Sequence, residues 1–364
     1  MKLLTPFYGK HLEHGAKMVD VGGWQLPSIY TSIEEEYRMV RERAGFIDYS
    51  FQYTLAVGGK DAFSFLQKVL VNDLRKIHPG KAIYSSLLYE TGKMVNDAVV
   101  LWVEEDLFII VGGRNKMEAS AWLKKNAQDF DVSIVAINTG LLCLQGPKSK
   151  EVLQKAINLQ DLSYFSLKQD NLGDIPVLIA RLGFTGELGY ELYVHPEYAH
   201  ELWDTLIELG KEYNVGPYGL VASRPLSVEK GYVSSADLYE GSTPLELGLG
   251  WTVAFDKGDF IGKEALLKRK TEGLKTKWMG FEVSDPKVVA SAKERLVKEG
   301  KVVGQVTSNG VYGFTIGKSL GQAWVEIEYA NEGEELELEH DDRRTKIKLT
   351  QKRWYDPEGK IVKG

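Results

Sequence analysis

Apolar and polar positions switch between two periods along the chain. Residues 33–48, IEEEYRMVRERAGFID, carry apolar side chains at helical spacing, and this predicts an amphipathic helix ending near Gly45. YTLAV (53–57) predicts a strand, and DAFSFLQKVL (61–70) a short helix with Asp61 in its first turn. AIYSSLLYETGKMVNDAVVLWV (82–103) and LFIIVGG (107–113) read as three strands, the first two joined by a turn at Glu90-Thr91-Gly92. KMEASAWLKKNAQ (116–128) predicts a helix. TGLLCLQGP, PKSKEVLQKAI, IPVLIARLGF, ELYV and EYAHELWDTLIELGKEY repeat the mixture between 139 and 213. From about residue 276, KWMGFEV, KVVGQVTSNG, GQAWVEIEY, ELELEH and KIKLTQK are short strands with Gly, Asn and Asp at their turns, the pattern of a small β-barrel or jelly roll. The predicted linker is KRKTEGLKTK, 268–277.

Asn96 and Asp97 interrupt one of these apolar strands. Aspartate is depleted in strands and costly to bury without a partner. Successive strand residues point to opposite faces, so one of the two faces the core and the other does not.

Composition narrows the function classes. The 364 residues are 43% hydrophobic and 26% charged, which suits a chain of about two or three domains. Acidic residues outnumber basic ones, 51 to 45, without a Lys/Arg block, and this argues against nucleic-acid binding. Cys143, the one cysteine, lies in the apolar run LLCLQG and reads as an inert buried thiol. The six histidines show no metal-ligand spacing. The start lacks a signal-peptide core and no 18-residue apolar run exists, so no membrane span and a cytoplasmic location are expected.

Two glycine-rich stretches resemble nucleotide motifs and fail their spacing. GFTIGKS (313–319) has three residues between its glycines where a P-loop needs four, and GFTGELG (183–189) is not G-x-G-x-x-G. No G-x-S-x-G is present.

RLGFTGELGYEL (181–192) is the most informative stretch, with Glu187 between glycines where its carboxylate can project into a cleft. It resembles R-T-G-Y-T-G-E-D-G-F-E of the aminomethyltransferase family, the T-protein of the glycine cleavage system. TPFYGKHLEHGAKMVDVGGWQLPSIY, VNDLRKIHPGKAIYSSLLYETGKMVNDAVV, LLCLQGPKS, TPLELGLGWTVAFDKGDFIGKEAL and VGQVTSNGVYGFTIGKSLGQAWV are similar to further motifs of that family, in order, from residue 5 to about 350. The resemblance implies a three-domain α+β ring: an α+β domain over 1–140, a second, folate-binding one over 141–267, and a C-terminal β-barrel over 278–364 around a central folate channel. It implies tetrahydrofolate as cofactor, with Glu187 forking the pterin edge. Tyr84, Phe184, Tyr190 and Trp251 are candidate aromatic walls and Arg224 a candidate cation. Trp24, Tyr30, Phe51 and Tyr53 are candidates for the substrate pocket.

Departures from the T-protein pattern direct the functional expectation. The family's G-G-x-x-D-D, whose first Asp the resemblance makes catalytic, is Gly92-Lys93-Met94-Val95-Asn96-Asp97 here. Its D-V-S-H-M-G-E is Asp48-Tyr49-Ser50-Phe51-Gln52-Tyr53-Thr54, its N-A-x-N is Gly112-Gly113-Arg114-Asn115, and its C-terminal arginine motif survives as Lys352-Arg353-Trp354-Tyr355. Asn96 also resembles the N-D-P-V of folate-dependent demethylases of the dimethylsulfoniopropionate type. The expectation is therefore a demethylase in which Asn96 positions tetrahydrofolate for attack on a small methyl donor. The alternatives are a glycine-cleavage aminomethyltransferase served by a lipoyl-carrier protein, and a folate-binding protein without catalysis.

Overall fold

Two antiparallel sheets stand face to face at the centre of the computed structural model. It describes the chain except Met1, Arg114, Asn115, Ser235, Ala236, Tyr239, Glu240, Asp342 and Lys352, and except the side chain of Lys116. The motif remnants at Arg114-Asn115 and Lys352 therefore lie outside the described residues.

The first sheet runs in the order Lys81–Leu88, Met94–Glu104, Leu107–Gly112, Tyr53–Gly58, Ser133–Ala136. The second runs Leu167–Leu172, Ile175–Ala180, Gly189–Val194, Gly140–Gln145, Gly45–Asp48, Gly216–Pro217. Helices Ala62–Val69 and Lys116–Asn126 cover the outer face of the first sheet, packing Phe65, Leu66 and Leu123 on Leu55, Val100 and Phe108. Helices Ser149–Gln154 and Ala199–Leu209 do the same for the second, with Leu153, Leu202 and Trp203 on Phe46, Leu144 and Leu192. The two inner faces share a third core, in which Ala82, Leu101 and Val111 meet Ile47, Cys143, Ala180 and Tyr193. A strand buried on both faces reads as a continuous apolar run, which explains LLCLQG.

The C-terminal strands close on themselves. Thr276–Val283 pairs with Lys318–Glu326 on one side and Arg343–Thr350 on the other; Glu335–His340, Arg295–Lys298 and Lys301–Val306 complete the ring. The expected α+β architecture with a C-terminal barrel is the one observed. A small sheet of Leu3–Leu4, Trp24–Ile29 and Lys17–Val21 precedes it.

Three local expectations need correction. The helix expected to end near Gly45 ends at Glu42, and Gly45–Asp48, within the same stretch of sequence, joins the second sheet. A β-carbon on Gly45 would lie 2.8 Å from Met39 Cε and 3.1 Å from the Tyr218 ring, so glycine spares these side chains a shift where the strand passes the helix. The first half of the predicted linker at 268–277 is helix: Lys263–Glu272 is helical, ends at Gly273 with φ +84, and the barrel begins at Thr276. The helix Leu220–Lys230 was hidden by Pro225 in its interior and by its lack of a polar face; Ala222, Leu226 and Val228 are buried.

Candidate functional site

The strand Met94–Glu104 resolves the Asn96/Asp97 alternation. Ala98 and Val100 belong to the helix-backed outer core, while Leu101 and Val99 belong to the inter-sheet core. Strand parity puts Asn96 with the former and Asp97 with the latter. Asn96 is 1% exposed, and its Oδ1 accepts from the Asp97 N–H at 3.0 Å. The amide expected to act on substrate sits on the outer face, and the Asp97 carboxylate lies on the inner one.

On that inner face Tyr84 donates its hydroxyl to Asp97 Oδ2 at 2.7 Å. Burial pushes the Asp97 carboxyl up, and the Tyr84 hydrogen bond pulls against it. Burial and the neighbouring carboxylate push the Tyr84 phenol well up. Trp251 is 63% exposed and stacks on Tyr84, with ring centroids 6.2 Å apart and planes at 21°. A large apolar ring held in solvent beside a half-buried carboxyl suits a flat ligand.

The facing sheet contributes a second carboxyl. Glu191 lies across from Cys143 and Ala180, accepts from the Tyr193 hydroxyl at 2.5 Å, and is pushed by burial up to about 7. The Cys143 thiol beside it is buried and held well above its usual range. The sequence reading passed over Glu191 in favour of Glu187, four residues earlier in the same motif; strand parity beyond Gly189 was the signal that distinguishes them.

Glu187 is committed elsewhere. Its Oε1 accepts from Arg41 at 2.8 Å and from the Tyr355 hydroxyl at 2.6 Å, and it is 2% exposed. Arg41 also reaches Glu229 at 2.9 Å and the carbonyls of Thr185 and Leu226, and its guanidinium lies 3.7 Å over the Tyr355 ring. Tyr37 donates to Glu229 at 2.5 Å, and Lys230 pairs with Asp356 at 2.8 Å. This clamp ties together the helix Ile33–Glu42, the 183–189 turn, the helix Leu220–Lys230 and the C-terminal segment. The expected projection of Glu187 into a cleft is not what the structure has, because the cation and the phenol that enclose it come from distant parts of the chain.

The remaining candidates scatter. Tyr190 belongs to the outer core of the second sheet, 1% exposed. Tyr53 packs in the outer core of the first, its ring filling the space where a Gly112 side chain would stand. Tyr30 bonds His11 Nδ1 at 2.8 Å, and His11 Nε2 bonds Asp48 at 2.9 Å in a buried cluster that anchors the N-terminal helix. Trp24 lies in the small N-terminal sheet. Tyr190, Tyr30 and Trp24 are therefore not gathered around Asp97; Tyr53 is near enough to feel its charge, but from the outer core. Phe51 meets Tyr49 edge-on beside the inter-sheet core. Phe184, also beside that core, stacks on Tyr232 at 5.3 Å and 18°. Arg224 donates to Ser234, Ser308 and Gln322. Among the described residues no three His, Cys, Asp or Glu side chains gather as a metal ion would require, and no helix is long and apolar enough to cross a membrane.

The matches to known proteins fall on this frame of facing sheets and barrel and are those of a transferase. The family model described as the GCVT N-terminal domain matches residues 7–257, and that of the glycine cleavage T-protein C-terminal barrel domain matches 277–356. The chain belongs to this T-protein family. It is 36% identical over 360 residues, 97% of each chain, to an aminomethyltransferase of Clostridium botulinum (strain Kyoto / Type A2). It is 37% identical over 339 residues, 92% of this chain and 94% of the other, to an aminomethyltransferase of Halothermothrix orenii. The crystal structure of the glycine cleavage system aminomethyltransferase T from Bartonella henselae superposes with a TM-score of 0.90 at 26% identity, over 98% of this chain and 100% of that one. These relatives overturn the demethylase expected from Asn96, and with it the small methyl donor.

Proposed function

We propose that the chain is a tetrahydrofolate-dependent aminomethyltransferase of the glycine cleavage type, acting with a lipoyl-carrier protein. The observation that carries this reading is the carboxyl of Asp97 on the inner face, held by Tyr84, in a chain similar over its whole length to aminomethyltransferases.

The reaction moves a methylene carbon from an S-aminomethyl lipoyl arm to the two folate nitrogens, while their two protons end on ammonia and on the freed thiol. A site for it must relay protons at the carbon acceptor. The Asp97 carboxyl, pushed up by burial, can give or take one. Tyr84 orients it. Trp251 and Tyr84 offer a flat wall beside it, and Phe184 with Tyr232 a second. Glu191 suits the amino and ring N–H edge of a pterin, because a carboxylate accepts two such donors as a fork. We read the chain as three domains with boundaries near 140 and 267–278, Gly45–Asp48 serving the second; the family models change over between 257 and 277, which supports the later boundary.

The test is single-turnover ammonia release from an aminomethyl-loaded lipoyl carrier. Release that requires tetrahydrofolate and matches 5,10-methylenetetrahydrofolate formed is the expected result. A folded protein that binds folate but releases no ammonia above the enzyme-free rate would reject the reading.

A further inference from the structure

Directly opposite Asp97, on the neighbouring strand, stands Ser86. Residues paired in this way share a face, with Cβ atoms about 4.5–5.5 Å apart. Ser86 is fully buried and its hydroxyl has no hydrogen-bond partner. Its backbone carbonyl accepts from Val71, so only the side chain is unused. Leaving a buried hydroxyl unbonded costs about 1–3 kcal/mol, and a group held at that cost is expected to find a partner in some state of the protein.

The neighbours of Asp97 say which state. Tyr84, two residues before Ser86 on the same face, donates to Oδ2. Trp251 lies over Tyr84. Tyr53 feels the Asp97 charge, but its ring lies among the outer-core residues. Among the described residues no cationic side chain pairs with Asp97, whose balance is set by burial, Tyr84 and the backbone. An ionised carboxylate in such a place needs more than one donor. Two hydroxyls near Asp97 are without an engagement, those of Tyr53 and Ser86; the Tyr53 ring lies among the outer-core residues, whereas Ser86 stands directly across from Asp97 on the same face and can turn about its own χ1.

We propose that Ser86 is a positioning residue for Asp97: its hydroxyl turns to donate to Oδ1 while the carboxylate is ionised and lets go when the carboxyl is protonated. The serine thereby makes the two protonation states of Asp97 closer in energy without touching substrate. This rests on the reading of Asp97 as the proton-handling group.

The test compares wild type with Ser86→Ala and with Ser86→Cys, a near-isosteric weak donor. Carbon-13 NMR follows the titration of the Asp97 carboxyl in the ligand-free protein, with Asp97→Asn identifying its signal. Single-turnover ammonia release is measured against pH alongside it. The Asp97 titration midpoint is expected to rise by about one pH unit in Ser86→Ala, a tenfold change in the ionisation equilibrium, and by less in Ser86→Cys. The acidic limb of the rate profile moves with it. Below the Asp97 midpoint, where the hydroxyl is unbonded, the thermal midpoint of Ser86→Ala stays level or rises; a merely structural serine would lower it there too. An unchanged Asp97 midpoint in a folded Ser86→Ala protein overturns the proposal. A shifted midpoint in a protein that never releases ammonia would uphold the coupling of Ser86 to Asp97 and reject the aminomethyltransferase reading instead.

Discussion

The clamp around Arg41 and the cleft between the two sheets both hold paired carboxylates under cover, and they treat them differently. In the clamp, Glu187 and Glu229 share one guanidinium and each also receives a tyrosine hydroxyl. In the cleft, Asp97 and Glu191 each receive one tyrosine hydroxyl, and among the described residues neither has a cation within salt-bridge distance. Burial pushes both cleft carboxyls upward, Glu191 to about 7, and pushes Glu187 up as well, there against the pull of Arg41 and Tyr355. A carboxylate that serves the fold is saturated with donors, whereas one that exchanges protons or binds a ligand keeps capacity in reserve.

The sharpest way to break this contrast is to remove a charge from each region. Asp97→Asn should lower ammonia release by about 10²–10⁴-fold, the usual contribution of a positioned acid–base group, with little loss of stability in urea denaturation. Arg41→Met should do the opposite. It leaves two buried carboxylates unpaired and should cost about 3–5 kcal/mol of stability, read from the same denaturation curves; a loss below about 1 kcal/mol would show that the clamp is wetter than its burial implies.

Glu191→Gln comes next. Replacing one arm of a charge-assisted pair should weaken tetrahydrofolate binding by about 10–150-fold, measured by calorimetry. The wild-type affinity should fall as pH drops below about 7, because the protonated carboxyl cannot accept both pterin donors. Stability carries the opposite sign. A carboxyl raised in the folded state binds its proton more tightly there, so its contribution is complete below the ordinary carboxyl range and is lost as pH rises through about 7. Glu191→Gln should flatten that slope. The smallest effect belongs to Trp251→Ala. The exposed indole holds nothing in the fold, so stability should stay level while folate affinity falls by the roughly 0.5–1.5 kcal/mol of an aromatic contact; equal affinity in the variant would remove Trp251 from the binding wall.

The same contrast marks what could be read from the sequence. Period and turn signals gave the sheets and the barrel, because those elements are set by local pattern. The helix Leu220–Lys230 escaped because burial on all sides erases amphipathic spacing and Pro225 imitates a break. The motif around Glu187 holds two carboxylates, one enclosed by the clamp and one facing the cleft, and the sequence does not tell them apart. Whether Glu187 is free depends on Arg41 and Tyr355, which are 146 and 168 residues away in the chain. Asn96 was misjudged for a simpler reason. Alternation fixes that neighbours face apart, but only the partner sheet decides which face is inside.

The central claim is that the carboxyl of Asp97, not the amide of Asn96, does the chemistry. Single-turnover ammonia release, with aminomethyl-loaded carrier and tetrahydrofolate, compared among wild type, Asp97→Asn and Asn96→Ala tests it most directly. The account predicts a loss of about 100-fold or more for Asp97→Asn. It predicts a rate for Asn96→Ala that stays within several-fold of wild type while thermal stability falls, since Asn96 is buried against the helix-backed core. A dead but well-folded Asn96→Ala protein beside an active Asp97→Asn protein would contradict it.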